Sequence, residues 1–159
     1  SRNNMDVYFA LKTLHIISAT ILFGTGLGIA FFMFRSYFTE NIHEKFYAIR
    51  NTVYADYCFT LPAVILQPIT GFGLIALSGF GWLDLWLIAT YIAYGIAGIC
   101  WLPVVWIQIQ LRKILAEHTI NNSPLPSRYF KLFKIWFLLG WPAFISLVII
   151  FFLMVMKPT

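Results

Sequence analysis

Four long apolar runs constrain this chain more than any other feature of its sequence. They cover approximately residues 8–34, 53–78, 85–111 and 129–156. A helix needs about 20 apolar residues to cross the hydrocarbon core of a bilayer, whereas a spanning strand needs only about 9–11 residues of alternating polarity. The runs therefore predict an all-α fold, a transmembrane four-helix bundle that forms one domain over residues 1–159.

The composition favours lipid as the solvent and excludes nucleic acid as a partner. Apolar residues make up 60% of the chain and charged residues 11%, whereas soluble domains carry about 25% charged residues. The formal net charge is +5, but the basic residues stand at the ends of the apolar runs, where they set membrane topology. We therefore expect the lipid bilayer to be the partner of this surface.

Basic residues are distributed unevenly between the two ends of the runs. One end carries Lys or Arg at positions 35, 45, 50, 112, 113, 128, 131 and 134, and the other end only at 2, 12 and 157. The positive-inside rule then predicts that the two polar loops, at about 35–52 and 112–128, face the cytoplasm and that both termini face outward.

The first polar loop carries the signal of a helix start. Asn41 and Glu44 have the spacing of a capping box, in which two side chains satisfy the free N–H groups of a first helical turn. Ile42, Phe46 and Ile49 then follow at helical spacing. We expect a short amphipathic helix that lies at the cytoplasmic interface.

Polar residues inside the runs should face the bundle interior, because each costs free energy in lipid. On a helical wheel the first three helices each carry a polar or small face, and the nearly apolar fourth helix closes the bundle. We predict that the amides of Gln67 and Gln108 point inward. Asp56, at the end of its run, is expected either to form an ion pair with Arg50 or Arg112 or to relay protons.

Small residues, prolines and aromatics add further expectations. The cluster Gly24, Gly26 and Gly28 predicts close helix packing. Prolines inside the later runs predict kinks, whose freed carbonyls are either satisfied by nearby polar side chains or line a cavity that binds a ligand. Tyrosines and tryptophans near the run ends, Trp136 among them, fit aromatic belts at the membrane interfaces.

His15 is the only histidine inside the runs, about two helical turns from the outer end. A neutral imidazole can ligate haem iron or copper or relay protons, and it can also hydrogen-bond to another helix in a purely structural role. Met154 and Met156 near the outer end of the last run would give His15 the soft partners of a Cu(I) site, or they form an ordinary apolar helix end.

Distinctive motifs occur along the whole chain. They are LKTLHII at Leu11–Ile17, QPITG at Gln67–Gly71, WLPVVWIQ at Trp101–Gln108, WFLLGWP at Trp136–Pro142 and MKP at Met156–Pro158. Together these motifs resemble an uncharacterised bacterial family of predicted four-helix integral membrane proteins. The resemblance implies a multi-pass protein of the bacterial inner (cytoplasmic) membrane and carries no known activity.

The opening LKxxHI motif at Leu11–Ile16 is also distantly similar to the first helix of HemJ-type protoporphyrinogen oxidases and of CopD-like copper proteins. HemJ-type proteins are small and all-helical, and they bind haem b through a first-helix histidine. The resemblance therefore implies that His15 is a haem ligand. Since the runs hold no second histidine, the other axial position falls to a homodimer with the haem between two copies of His15, to a methionine, or to water.

We predict on this basis that His15 ligates haem b near the outer leaflet. Ala19 on the same face leaves room for a flat ring. Tyr91 and Tyr94 should lie at a similar depth on the antiparallel third helix, where they would stack on a porphyrin or hydrogen-bond a substrate. Lys12, one turn outward, would meet a haem propionate or a lipid head group, or simply extend to the interface.

Three classes of function follow from these residues. The favoured class is a haem b-binding membrane oxidoreductase that acts on quinone or porphyrin. The second is a membrane binding or transport protein for copper or a small apolar molecule. The third is a non-catalytic subunit or assembly factor of a larger membrane complex. A visible absorption spectrum and a copper analysis of the purified protein would separate the three.

Overall fold

The protein is helical from near its first residue to near its last, in a computed structural model that describes residues 1–159. Helix α1 covers Arg2–Tyr37, α2 covers Ile42–Ala55, α3 covers Leu61–Ser78, α4 covers Leu85–Asn121 and α5 covers Ser127–Met156. A π-helical turn, Asp56–Thr60, joins α2 and α3 into one continuous helix. Four helices are long and apolar enough to cross a membrane, so the predicted all-α transmembrane fold is confirmed.

The helices extend beyond the apolar runs that predicted them. Helix α1 begins at Arg2, and α4 ends only at Asn121, where the next residue, Asn122, adopts a left-handed conformation with φ of 48°. Lys, Arg and Glu are good helix formers, so a helix continues after its apolar residues end. Hydropathy therefore predicts only the apolar part of each helix, which suits lipid. The helix itself is longer, because its backbone hydrogen bonds continue to the capping residue.

The polar segment after α1 differs from the prediction. Asn41 does cap α2, accepting a hydrogen bond from the His43 amide at 2.9 Å. Glu44 does not complete a capping box, because its carboxylate accepts a hydrogen bond from the Thr39 hydroxyl and does not reach the Asn41 amide. The expected interfacial helix is also not a separate element, since α2 continues through the π turn into α3.

Two helix pairs make up most of the bundle. Helix α4 packs extensively against α5, α1 packs against α3, and α2 packs against α4. Helices α1 and α5 touch only sparsely. The main core cluster draws buried residues from α1, α2, α4 and α5 and lies toward the end that carries the two basic loops, called the basic end below. A smaller cluster of Ile75, Trp86 and Leu87 joins α3 to α4 at the opposite end.

Tyr94 on α4 hydrogen-bonds to a backbone carbonyl of α3 that has no partner within its own helix because of a proline. Pro68 has no N–H, so the carbonyl four residues earlier, that of Val64, loses its helical partner. The Tyr94 hydroxyl donates a hydrogen bond to the Val64 carbonyl oxygen at 2.6 Å. At this position the carbonyl that the proline frees is bonded to a residue of another helix. The same bond also joins α3 to α4.

The glycine cluster of α1 does not make the close helix packing that its spacing predicts. A Cβ atom added at Gly24, Gly26 or Gly28 would meet no neighbouring atom within 4 Å. Small residues permit close approach only where another helix lies opposite, and here the space beside these glycines is open.

Close packing of α1 instead involves the glycines of α3. A Cβ at Gly71 would lie 3.3 Å from Cε1 of His15, and a Cβ at Gly73 would lie 2.9 Å from Cδ1 of Leu11. The absence of side chains at these two positions lets the His15 ring and the Leu11 side chain pack directly on the α3 backbone. The α1–α3 pair is therefore the tightly packed side of the bundle.

Candidate functional site

Buried polar side chains form two separate clusters in the bundle. The histidine cluster joins α1 to α3 and consists of His15, Ser18, Gln67 and Thr70. The aspartate cluster joins the π turn to α4 and α5 and consists of Asp56, Thr60, Gln108 and Trp136. The polar faces therefore do not merge into one continuous interior stripe, and α5 contributes through Trp136.

Every side chain of the histidine cluster has a hydrogen-bond partner. Nδ1 of His15 lies 2.7 Å from the Thr70 hydroxyl oxygen. The Gln67 amide nitrogen donates to the backbone carbonyl of His15 at 2.8 Å and also to the Ser18 hydroxyl. The Gln67 amide thus points inward, toward α1. There it hydrogen-bonds to a backbone carbonyl rather than to a ligand.

The tautomer of His15 follows from the same hydrogen bonds. The Thr70 hydroxyl donates its single hydrogen to the Leu66 carbonyl oxygen at 2.7 Å. In this arrangement the hydroxyl accepts from His15, which assigns the ring proton to Nδ1 and the lone pair to Nε2; donation by Thr70 to Nδ1 would give the opposite tautomer. Nε2 makes no hydrogen bond within the chain and is not fully buried.

The other residues predicted to surround a haem are not gathered around His15. The Tyr91 hydroxyl donates to the Trp82 carbonyl at 3.0 Å, and Tyr94 is occupied by Val64 as described above. Lys12 is exposed, with its ammonium 5.9 Å from the centre of the Tyr8 ring. The tyrosine hydroxyls therefore serve the backbone, and Lys12 extends along the helix surface.

Of the two methionines proposed as copper ligands, only one is packed within the bundle. Met154 packs against the small cluster of Ile75, Trp86 and Leu87, and Met156 is 70% exposed. No group of three or more His, Cys, Asp or Glu side chains stands close enough to hold a metal ion.

The aspartate cluster is a relay of hydrogen bonds across three helical segments. Oδ2 of Asp56 accepts a hydrogen bond from the Gln108 amide nitrogen. The Gln108 amide oxygen in turn accepts from the indole N–H of Trp136 at 3.0 Å. All three side chains are buried, and Gln108 has only 2% of its surface exposed. Trp136, which the sequence assigns to an aromatic belt, is instead a core hydrogen-bond donor.

The ion pair predicted for Asp56 is not formed, and that prediction is wrong. The Arg112 guanidinium lies over the Tyr54 ring at 5.1 Å, and the Arg50 guanidinium lies over the Phe46 ring at 5.2 Å. Both arginines belong to polar helix ends, where the charged head remains close to water. Asp56 lies in the π turn and faces the bundle, so its partner is a neutral amide.

Two polar atoms of the aspartate cluster are buried and have no hydrogen-bond partner. They are Oδ1 of Asp56 and Oγ1 of Thr60, whose residues are 4% and 3% exposed. On successive turns of the same helix, the Thr60 hydroxyl is near enough to the Asp56 carboxylate to interact with it, but the two do not form a hydrogen bond of regular geometry. Unpartnered buried polar atoms are rare in native proteins, and π turns occur frequently at functional sites.

A cavity of about 270 Å³ adjoins these two atoms. It lies between α1, α4 and α5. Apart from the tryptophan N–H groups, the polar side chains on its wall are those of Asp56, Thr60 and Gln108. Its walls are otherwise apolar and rich in aromatic rings: Leu22, Phe23, Gly26, Leu27, Ile29, Ala30, Phe34, Trp101, Val104, Trp136, Phe137, Gly140, Trp141, Ala143, Phe144 and Leu147. A Cβ atom at Gly26 or Gly140 would meet nothing within 4 Å, so these glycines contribute open volume.

Aromatic pairs bridge the sparse α1–α5 seam beside this cavity. The rings of Phe23 and Phe144 lie 5.2 Å apart, and those of Phe34 and Phe137 stack at 5.5 Å. These contacts join α1 to α5, and all four rings belong to the walls of the cavity. The site is therefore a half-open aromatic cavity in the bundle, with a carboxylate and a hydroxyl on its wall.

The family of the chain follows from a match that covers almost its whole length. Residues 9–158 match the family model described as predicted integral membrane protein (DUF2269). The chain belongs to this family. The family description gives an integral membrane protein and no activity, and the number of four candidate spans comes from the helices of this chain. No curated protein and no solved structure matches the chain.

Proposed function

We propose that this member of the family is a membrane binding or transport protein for a small, largely apolar molecule that carries one hydrogen-bonding group. The observation that carries the proposal is the pair of unpartnered atoms, Asp56 Oδ1 and Thr60 Oγ1, on the wall of an aromatic cavity. Leaving a buried acceptor unpaired costs about 1–3 kcal/mol, and more when the acceptor is charged. A ligand that donates a hydrogen bond there recovers that free energy.

The size of the cavity restricts the ligand to one ring with short substituents. Sites for drug-sized ligands have volumes of about 300–1,000 Å³, and this cavity has about 270 Å³. A porphyrin macrocycle exceeds this space. The aromatic walls suit a flat or branched apolar body, because aromatic side chains bury large areas and favour ring contacts.

A cavity-filling substitution tests this proposal. Gly140→Leu places a side chain in the cavity, whereas Gly95→Leu makes the same change at an exposed position of α4 outside the cavity, where an added Cβ also meets nothing. Binding of 2-phenylethanol to protein in lipid nanodiscs is measured by equilibrium dialysis, with protein-free nanodiscs subtracted. Overpacking costs of about 1–3 kcal/mol correspond to an affinity loss of roughly tenfold to a hundredfold for Gly140→Leu.

The Gly95→Leu protein should bind the probe as the unmodified protein does. Equal binding by the Gly140→Leu and Gly95→Leu proteins would contradict the proposal, because the probe would then be bound elsewhere or by lipid alone. Elution volume and helical circular dichroism of both variants establish that each is folded.

Haem b ligation by His15 is a second candidate, in a redox protein that acts on quinone or porphyrin. The observation that favours it is the His15–Thr70 hydrogen bond, since a ring proton on Nδ1 would leave the Nε2 lone pair available. Metal-bound histidines usually donate their other ring N–H to a fixed acceptor in this way. Against it, the hydroxyls of Tyr91 and Tyr94 are already used by the backbone.

An absorption spectrum tests the haem candidate directly. Protein purified from cells with ample haem should show a Soret band that His15→Ala abolishes, and a homodimer with haem between two copies of His15 would contain one haem per two chains. A colourless protein would remove this candidate and leave the cavity proposal untouched.

The proposal also retains the bacterial inner (cytoplasmic) membrane as the location, with both polar loops in the cytoplasm. The excess of basic residues in these loops supports this topology. Ser123→Cys should react with an impermeant thiol reagent only after the cytoplasmic side is opened. Labelling of intact cells from outside would reverse the topology.

A further inference from the structure

We infer that the ligand of the cavity is an organic ammonium ion, a primary or secondary amine on a small aromatic or aliphatic body. The inference rests on the proposed function and adds the charge of the ligand. It begins from the carboxylate of Asp56, which is buried, has one oxygen bonded to a neutral amide and has the other oxygen unpartnered. Because an isolated charge in a low-dielectric site is costly, a buried carboxyl group either takes up a proton or is kept ionised by a positive partner, and the inference takes the second case.

The chain supplies no such cation. Arg112 and Arg50 are directed to the rings of Tyr54 and Phe46. Lys45, which is also buried, donates to the backbone carbonyls of Ser36 and Tyr37 at 2.9 Å and so completes the end of α1 instead. The positive charge that complements Asp56 is therefore absent from the protein and is available from a ligand.

The walls of the cavity suit a cation as well. Trp101, Trp136 and Trp141 line it together with several phenylalanines. The face of an aromatic ring attracts a cation, most strongly for tryptophan, and the attraction increases when the cation is desolvated. An alkane or a neutral arene would fill the same volume without using this property of the walls.

Hydrogen-bond direction gives the same answer. An ammonium group is a donor only; an ionised Asp56 Oδ1 can only accept, and Thr60 Oγ1 can accept as well as donate. A ligand carbonyl or carboxylate would place a second acceptor against Asp56. A carbonyl ligand such as a quinone would require Asp56 to be protonated, and the test below distinguishes that case.

Three isosteric probes separate charge, hydrogen bonding and shape. They are 2-phenylethylammonium, 2-phenylethanol and propylbenzene, which differ only in the terminal NH₃⁺, OH or CH₃ group. Binding to the full-length protein in nanodiscs is measured by equilibrium dialysis and corrected for partition into protein-free nanodiscs. We expect the ammonium probe to bind about tenfold more tightly than the alcohol, since hydrogen bonds to charged groups are about twice as strong as neutral ones.

Two variants assign the preference to the site. Asp56→Asn removes the charge and retains the shape, and it should remove the preference for ammonium over alcohol. Thr60→Val removes one acceptor and should reduce ammonium binding by a smaller factor. Equal binding of the ammonium and alcohol probes to the unmodified protein would overturn the inference without any variant having to fold.

The outcomes also separate this inference from the function on which it rests. If the ammonium and alcohol probes bind equally and Gly140→Leu weakens both, the binding function stands and the ligand is neutral. If none of the three probes binds the unmodified protein, both the function and the inference fail. A preference for ammonium that survives Asp56→Asn would also refute the inference, because the charge would be recognised elsewhere.

Discussion

The histidine cluster and the aspartate cluster contain similar side chains, yet only the aspartate cluster has polar atoms that are both buried and without a hydrogen-bond partner. Each combines an ionisable residue, a threonine and a glutamine inside the bundle. The His15 ring bonds to the Thr70 hydroxyl, and the Gln67 amide donates to the His15 carbonyl and the Ser18 hydroxyl. Asp56 and Thr60 each keep one unpartnered atom beside a cavity. Hydrogen-bonding capacity that is both buried and unused therefore distinguishes the aspartate cluster from the histidine cluster.

Packing also differs between the two clusters: it is close around the histidine cluster and open around the aspartate cluster. Gly71 brings the α3 backbone against the His15 ring, whereas Gly26 and Gly140 leave open volume next to the aspartate cluster. The α1–α3 side of the bundle is closed by contacts within the chain. The α1–α5 side keeps space, and we interpret that space as the place where a ligand completes the structure.

The largest expected effect comes from breaking the hydrogen-bond relay of the aspartate cluster. Gln108→Leu leaves the Asp56 carboxylate without its one amide donor and the Trp136 N–H without its acceptor. Removing one partner from a buried charged group costs about 3–5 kcal/mol, so we expect a loss of about 3 kcal/mol in the free energy of unfolding. Denaturation in detergent micelles measures it.

The matched control is Gln110→Leu, on the same helix and only partly buried. It should change the free energy of unfolding by less than about 0.5 kcal/mol, as is usual for surface positions. Equal destabilisation by the two leucine variants would mean that the relay contributes nothing beyond a general response of α4.

A pair of threonine substitutions contrasts the clusters directly. Thr70→Val removes the hydroxyl that holds His15 Nδ1 and should cost about 1–2 kcal/mol, because a buried donor is left unpaired. Thr60→Val removes a hydroxyl that has no partner and should leave the free energy of unfolding unchanged or raise it. Thermal unfolding of both variants provides the comparison.

Ligand binding should respond in the opposite order. Thr60→Val should weaken 2-phenylethylammonium binding, and Thr70→Val should leave it unchanged. If Thr60→Val destabilised the protein as much as Thr70→Val, the Thr60 hydroxyl would have a partner in the membrane, and the contrast between the clusters would disappear.

The smallest expected effect tests packing with two alanine substitutions. Gly71→Ala adds a Cβ 3.3 Å from the His15 ring, which Thr70 holds in place, so we expect a loss of about 1 kcal/mol. Gly26→Ala adds a Cβ in open space and improves helix propensity, so we expect a gain of up to about 1 kcal/mol. Opposite shifts in the unfolding midpoint are the expected result; shifts of the same sign would contradict it.

Much of the candidate site could not be predicted from the sequence, and the reason is visible at particular residues. His15 attracts attention because it is unique, whereas Thr60 is one of many threonines and Trp136 resembles an interfacial tryptophan. Their importance depends on a chamber formed by α1, α4 and α5 together. The one local feature of the backbone that marks the site is the π turn at Asp56–Thr60. The helical periodicity of the sequence does not reveal this turn.

The glycines are a second case in which the sequence does not show which residues matter in the tertiary structure. Three glycines on alternate positions of α1 look like a packing motif, but an added Cβ there meets nothing, and the close contacts belong to Gly71 and Gly73. Spacing describes one helix surface. Whether another helix lies opposite that surface depends on the rotation and crossing of both helices.

The sequence by itself determined that this chain crosses a membrane as four helices, because hydropathy over about 20 residues is a local and additive property. It also determined the start of α2 at Asn41, because a cap is formed within a few residues. Tertiary structure alone decided which polar groups are satisfied. A hydrogen bond acts over about 3 Å, and the partners of His15 and Asp56 are 55 and 52 positions away in the chain. No local pattern specifies the helix rotation that brings such residues together or leaves an oxygen of Asp56 free.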